Sequence, residues 1–80
     1  MDSTAKILIC DENEDFRRIT SDYLKSVGFS SVSEAGDAAE SLRKIKTIYP
    51  DIVIIDIWMP GGDAVTVIRE STRIFSGSAV

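Results

Sequence analysis

Lys6-Ile7-Leu8-Ile9-Cys10 carries an apolar run straight into the acidic pair Asp11-Glu12, and Ile52-Val53-Ile54-Ile55 runs in the same way into Asp56. Short continuous apolar runs of this kind are strands buried on both faces, the form that parallel sheets require. Carboxylates at the exits of two such strands can meet at one place. There they repel one another, and such a cluster persists when it binds a cation or does chemistry.

The segments between the runs supply the rest of the architecture. Phe16, Ile19, Tyr23, Leu24 and Val27 recur at the spacing of one helical face, which predicts a helix over 14–27 with Tyr23 turned to the core and Arg17 and Arg18 on a solvated face. Asn13 is its N-cap, Glu14 and Asp15 set negative charge in the first turn, and Gly28 stops it. Residues 31–35 alternate weakly around Val32, as a short strand near a sheet edge does. Asp37 with Glu40 resembles a capping box, ahead of Ala38, Leu42, Ile45 and Tyr49 at helical spacing, with Pro50 ending this second helix. After the strand at 51–56 come a loop, Trp58-Met59-Pro60-Gly61-Gly62, and a third helix from Asp63 or Ala64 to about Thr72–Phe75, with Val65 and Ile68 facing inward. Ser76-Gly77-Ser78-Ala79-Val80 reads as a turn and the opening of a further strand.

Alternating strands and helices define an α/β chain, and both intervening segments are long enough for parallel crossovers. Periodicity does not determine strand order. In the order 2-1-3, strands one and three are neighbours and their carboxyl ends border the switch point of an open α/β sheet, which brings Asp11, Glu12 and Asp56 into one pocket.

Composition narrows the function classes. Eighty residues make one small domain, and a formal net charge of −4 leaves no basic footprint for nucleic acid. The lone Cys10, inside the first run, is a small buried hydrophobe that excludes an internal disulfide, and with no histidine a zinc site is not expected. Neither a signal peptide nor a membrane span is legible, so a cytoplasmic protein is expected. The oxygen-only donor set suits a hard cation such as Mg²⁺, which takes one or two carboxylates and keeps several waters.

Taken together, Lys6 to Glu12, Phe16-Arg17-Arg18-Ile19, Val27-Gly28-Phe29, Glu34-Ala35 and Asp51 to Asp56 followed by Ile57-Trp58-Met59-Pro60 resemble the receiver domain of two-component response regulators over almost the whole chain. The resemblance implies a flavodoxin-like (CheY-like) parallel sheet of order 2-1-3 with helices on both faces. It implies Asp56 as phosphoacceptor from a histidine kinase or phosphotransfer protein, and Mg²⁺ held by Asp11, Glu12, Asp56 and the backbone carbonyl of Trp58. Met59 and Pro60 would shape the loop. Such a domain accepts phosphate on its own nucleophilic carboxylate and is not an enzyme in the usual sense.

The chain also departs from the family. The acidic pair ends in Glu12 where the family has Asp, and Ala64 follows Asp63 where it commonly has Gly. A full receiver has two more strand–helix units, bearing a Ser or Thr that senses phosphate and a Lys that neutralises it. Neither has a counterpart here, since Ser76 and Ser78 precede any completed fourth strand. Residues 1–80 are therefore expected to be the N-terminal part of a receiver lacking most or all of strands four and five, or a chain that oligomerises through the open edge of strand three. The alternative function is a non-phosphorylated interaction or dimerisation module. A metal-dependent phosphohydrolase is disfavoured, because Trp58 stands where a general acid two residues beyond Asp56 would be needed.

Overall fold

The computed structural model describes residues 4–56 and Arg69, which is helical; the loop expected at 58–62, the rest of the third helix and the turn expected at 76–80 lie outside the described residues. In chain order the elements are β1 (Lys6–Cys10), α1 (Glu14–Ser26), β2 (Ser31–Ala35), α2 (Ala38–Ile48) and β3 (Ile52–Ile55). The strands form a parallel sheet in the order β2-β1-β3. The two strongest apolar runs are thus neighbours, and the weakly alternating β2 lies at an edge.

Register follows from the apolar pattern, because a slip of one residue would turn every side chain to the wrong face. Leu8 pairs with Ser33 and Val53, and Cys10 with Ala35 and Ile55. Leu8, Cys10, Ala35 and Val53 form one buried cluster with Ala38 and Ile45 of α2, against which Leu42 and Ile55 pack. Ile7 and Ile9 alternate to the opposite face and are also buried, in register with Ile52 and Ile54 of β3. A strand covered on both faces has to be apolar throughout, which is why β1 carries no interior polar residue.

The helix ends are built from local hydrogen bonds. Asn13 Oδ1 accepts from the Phe16 amide at 3.0 Å, and Asp37 Oδ1 from the Glu40 amide at 2.8 Å. Glu40 does not complete the reciprocal capping box by returning to residue 37; its carboxylate takes the Gly36 amide at 2.7 Å and so closes the turn one residue earlier. α1 stops at Ser26 with Val27 as C-cap and Gly28 at φ +111°, a conformation that suits glycine. α2 ends where Tyr49 turns left-handed at φ 55°, immediately before Pro50.

The rotation of α1 differs from the expectation. Its apolar stripe is largely exposed, with Phe16 at 47%, Ile19 at 64%, Tyr23 at 65% and Val27 at 53%. The face turned inward is buried Ser21 with half-buried Arg17, Thr20 and Leu24. Ser21 is the one fully buried residue of α1, and Arg17 on the same face is hydrogen-bonded to Asp11 and Glu34. Tyr49 is likewise exposed, because it caps α2 instead of continuing it.

Removing the side chain of fully buried Leu8 tests the core. Leu8→Ala should cost about 2–5 kcal/mol, a large part of the roughly 4–12 kcal/mol typical of a chain this long, and should move the urea midpoint sharply downward.

Candidate functional site

The sheet pairing extends one residue past the ends of β1 and β3. The Asp11 amide donates to the Ala35 carbonyl at 3.0 Å, and the Asp56 amide donates to the Cys10 carbonyl at 2.9 Å. Cys10 is in register with Ile55, so Asp11 and Asp56 are the next residues along at the carboxyl ends of two adjacent parallel strands. Both are half-buried, and Glu12 is exposed. The Asp11 carboxylate accepts from the Asn13 amide at 3.0 Å, a local turn that feeds the chain directly into the cap of α1.

Among the described residues, no three Asp, Glu, Cys or His side chains stand grouped as a ready-made metal cage. A Mg²⁺ site does not need one, since that ion is commonly held by one or two carboxylates plus water. The donors at the two strand exits are carboxylate oxygens, which fit a hard cation. Trp58, whose carbonyl is the remaining expected ligand, lies outside the described residues. Cys10 takes no part: burial pushes its thiol pKa up, only partly opposed by a hydrogen bond with Ser41, and keeps it protonated and inert.

Beside the acids stands Arg17, expected on a solvated face. Its side chain is only 16% exposed, Nη1 donates to the Asp11 carbonyl at 2.5 Å, and Nε pairs with Glu34 Oε1 at 3.3 Å. The guanidinium covers Gly36 so closely that a Cβ there would meet Nη1 at 3.2 Å. Lys44 Nζ donates to the Glu34 carbonyl and pairs with Glu40 at 3.6 Å, so the end of β2 is held from both sides. Arg18, by contrast, is solvated and among the described residues pairs with Asp15 on its own helix. The signal for Arg17 was present in the spacing 17, 20, 21, 24, but a face carrying Arg, Thr and Ser has no apolar periodicity to mark it.

The family model described as the response regulator receiver domain matches residues 7–76. The chain belongs to this family. It is a receiver domain of the kind found in two-component signalling. It is 38% identical over 69 residues to the chemotaxis protein CheY of Bacillus subtilis, a match covering 86% of this chain and 58% of that protein. The crystal structure of a receiver domain protein from Clostridium thermocellum superposes with a TM-score of 0.88 at 29% identity, covering 95% of this chain and 61% of that one. CheY in the CheX–CheY–BeF₃–Mg²⁺ complex of Borrelia burgdorferi gives 0.84 at 28% identity, covering 94% and 57%. The receiver thus spans less than two thirds of these relatives. Its sheet order and parallel strands are those of the CheY-like fold.

Glu40 gives the loops around the site a pH dependence. The Gly36 amide hydrogen bond, aided by Lys44 and Arg43, holds its carboxyl below the ordinary value of about 4.5. The folded state therefore prefers Glu40 ionised. The resulting stability is present above 4.5 and is lost as pH falls through the lowered folded value. Thermal melts across the acid range should show this loss in the wild type and a shallower slope in Glu40→Gln.

Proposed function

We propose that this receiver accepts a phosphoryl group on Asp56 from a histidine kinase or phosphotransfer protein, with Mg²⁺ held by Asp11, Glu12, Asp56 and the Trp58 carbonyl. The supporting observation is the Asp56 amide bonded to the Cys10 carbonyl at 2.9 Å, with Asp11 next after Cys10. It sets two acid-bearing residues side by side at the switch point of the sheet, where ligands bind in open α/β folds. One Asp56 carboxylate oxygen attacks phosphorus as the donor's bond to phosphorus breaks, and the leaving group departs with the electron pair. Mg²⁺ supplies neutralisation of the phosphoryl oxygens when bound. Solved CheY with BeF₃ and Mg²⁺ supports this reading at the level of the family.

Residues 1–80 are, on this proposal, the N-terminal part of a cytoplasmic receiver, in keeping with a match to 58% of the Bacillus protein. Among the described residues no helix is long and apolar enough to cross a membrane.

A second reading draws on the exposed stripe of α1 and on Ile54, 38% exposed on β3. These surfaces favour an interaction or dimerisation module, including a homo-oligomer formed through the β3 edge.

Incubation with acetyl phosphate and Mg²⁺ separates the two. The phosphoacceptor reading expects a base-labile mass increase of one phosphoryl group that disappears in Asp56→Ala and when EDTA removes the metal. An unmodified wild type that sediments as a dimer would favour the interaction module instead.

A further inference from the structure

We propose that Arg17 is a positioning residue for the cation pocket, fixing the peptide unit shared by Asp11 and Glu12. This rests on the reading of that pair as cation ligands. A peptide unit is planar, so pinning the Asp11 carbonyl sets both the ψ of Asp11 and the entry to Glu12. Arg17 Nη1 makes that contact at 2.5 Å, while Nε is held at 3.3 Å by Glu34 at the end of β2. The Asp11 amide is itself bonded to the Ala35 carbonyl at 3.0 Å, so the unit preceding the acidic pair is tied to the same strand end. Gly36 supplies the space for the guanidinium.

The arrangement needs arginine in particular. Two acceptors in different directions, a backbone carbonyl and a carboxylate, are served by separate nitrogens of one rigid planar fork, which a lysine ammonium on a flexible stem does not reproduce. Partners behind metal ligands act through orientation, and losing one commonly weakens metal binding. Coulomb's law alone predicts the opposite sign, because Arg17 sets a positive charge beside a cation site. The direction of the change therefore separates orientation from simple electrostatics.

The test is a Mg²⁺ titration of the full 80-residue chain followed by backbone amide NMR shifts, with circular dichroism as the check on folding. Arg17→Gln should weaken Mg²⁺ binding about tenfold, and Arg17→Lys should not restore it. Arg18→Gln removes the same charge from the exposed neighbouring position and should leave binding unchanged or slightly tighter. Without metal, amide exchange at Asp11 and Asn13 should quicken in both Arg17 variants while that of α2 is unaltered. If Arg17→Gln does not fold, Glu34→Gln removes only the guanidinium's anchor and should show the same loss at smaller size. A folded Arg17→Gln that binds Mg²⁺ as tightly as wild type, or more tightly, overturns the role of Arg17 alone. A wild type that does not bind Mg²⁺ overturns the reading of the pocket and this role with it.

Discussion

Strand β1 pairs on both of its edges and is covered on both of its faces, and the rest of the structure depends on that position. α1 packs against β1 and β2, α2 packs against the same two strands, and Leu8 and Cys10 anchor the buried cluster that joins all three strands to α2. The same position makes the site. Only a central strand can deliver a residue that bonds to one neighbour while the other neighbour's next residue bonds back to it, as Asp11 does with Ala35 and Asp56 does with Cys10. Placing acids at that point costs the fold little, because the strands end there and water can reach the carboxylates.

The readable part of the chain was the part governed by short-range rules. Ile7 to Cys10 is the doubly buried strand its apolar run predicts, while Ile52 to Ile55 forms the expected strand with only Val53 fully buried and Ile54 exposed; Asn13 and Asp37 cap their helices as their spacing requires, and 31–35 is the edge strand that its weak alternation described. The unreadable part was governed by polar contacts between distant segments. Phe16, Ile19, Tyr23 and Val27 have the spacing of a buried face, yet they are exposed, while the inward face carries Arg17, which reaches Asp11 and Glu34, a contact spanning 17 residues in one case. Hydrophobic periodicity reports which residues favour burial. It does not report which neighbour a guanidinium will find.

The candidate site divides in the same way. Asp11 and Asp56 were legible as strand-exit acids, and their adjacency needed the strand order, which periodicity does not contain. The links among Arg17, Glu34, Lys44, Glu40 and Gly36 were invisible because each residue alone looks like surface charge or a turn. Joined, they hold the loop after β2 against the acidic loop after β1. On the proposed reading, a doubly charged ion would be bound by carboxylates that repel each other. Backbone held in place beforehand lowers the ordering that binding requires.

The central claim is that Asp11 and Asp56 act as one site across the β1–β3 pair. A double-mutant cycle on Mg²⁺ affinity tests it most directly, using Asp11→Asn, Asp56→Asn and both together. One shared site predicts that each single change weakens binding and that the two are coupled by about 0.5–3 kcal/mol, as residues with a common partner are. Strictly additive effects, or a single change that leaves Mg²⁺ affinity untouched, would contradict it.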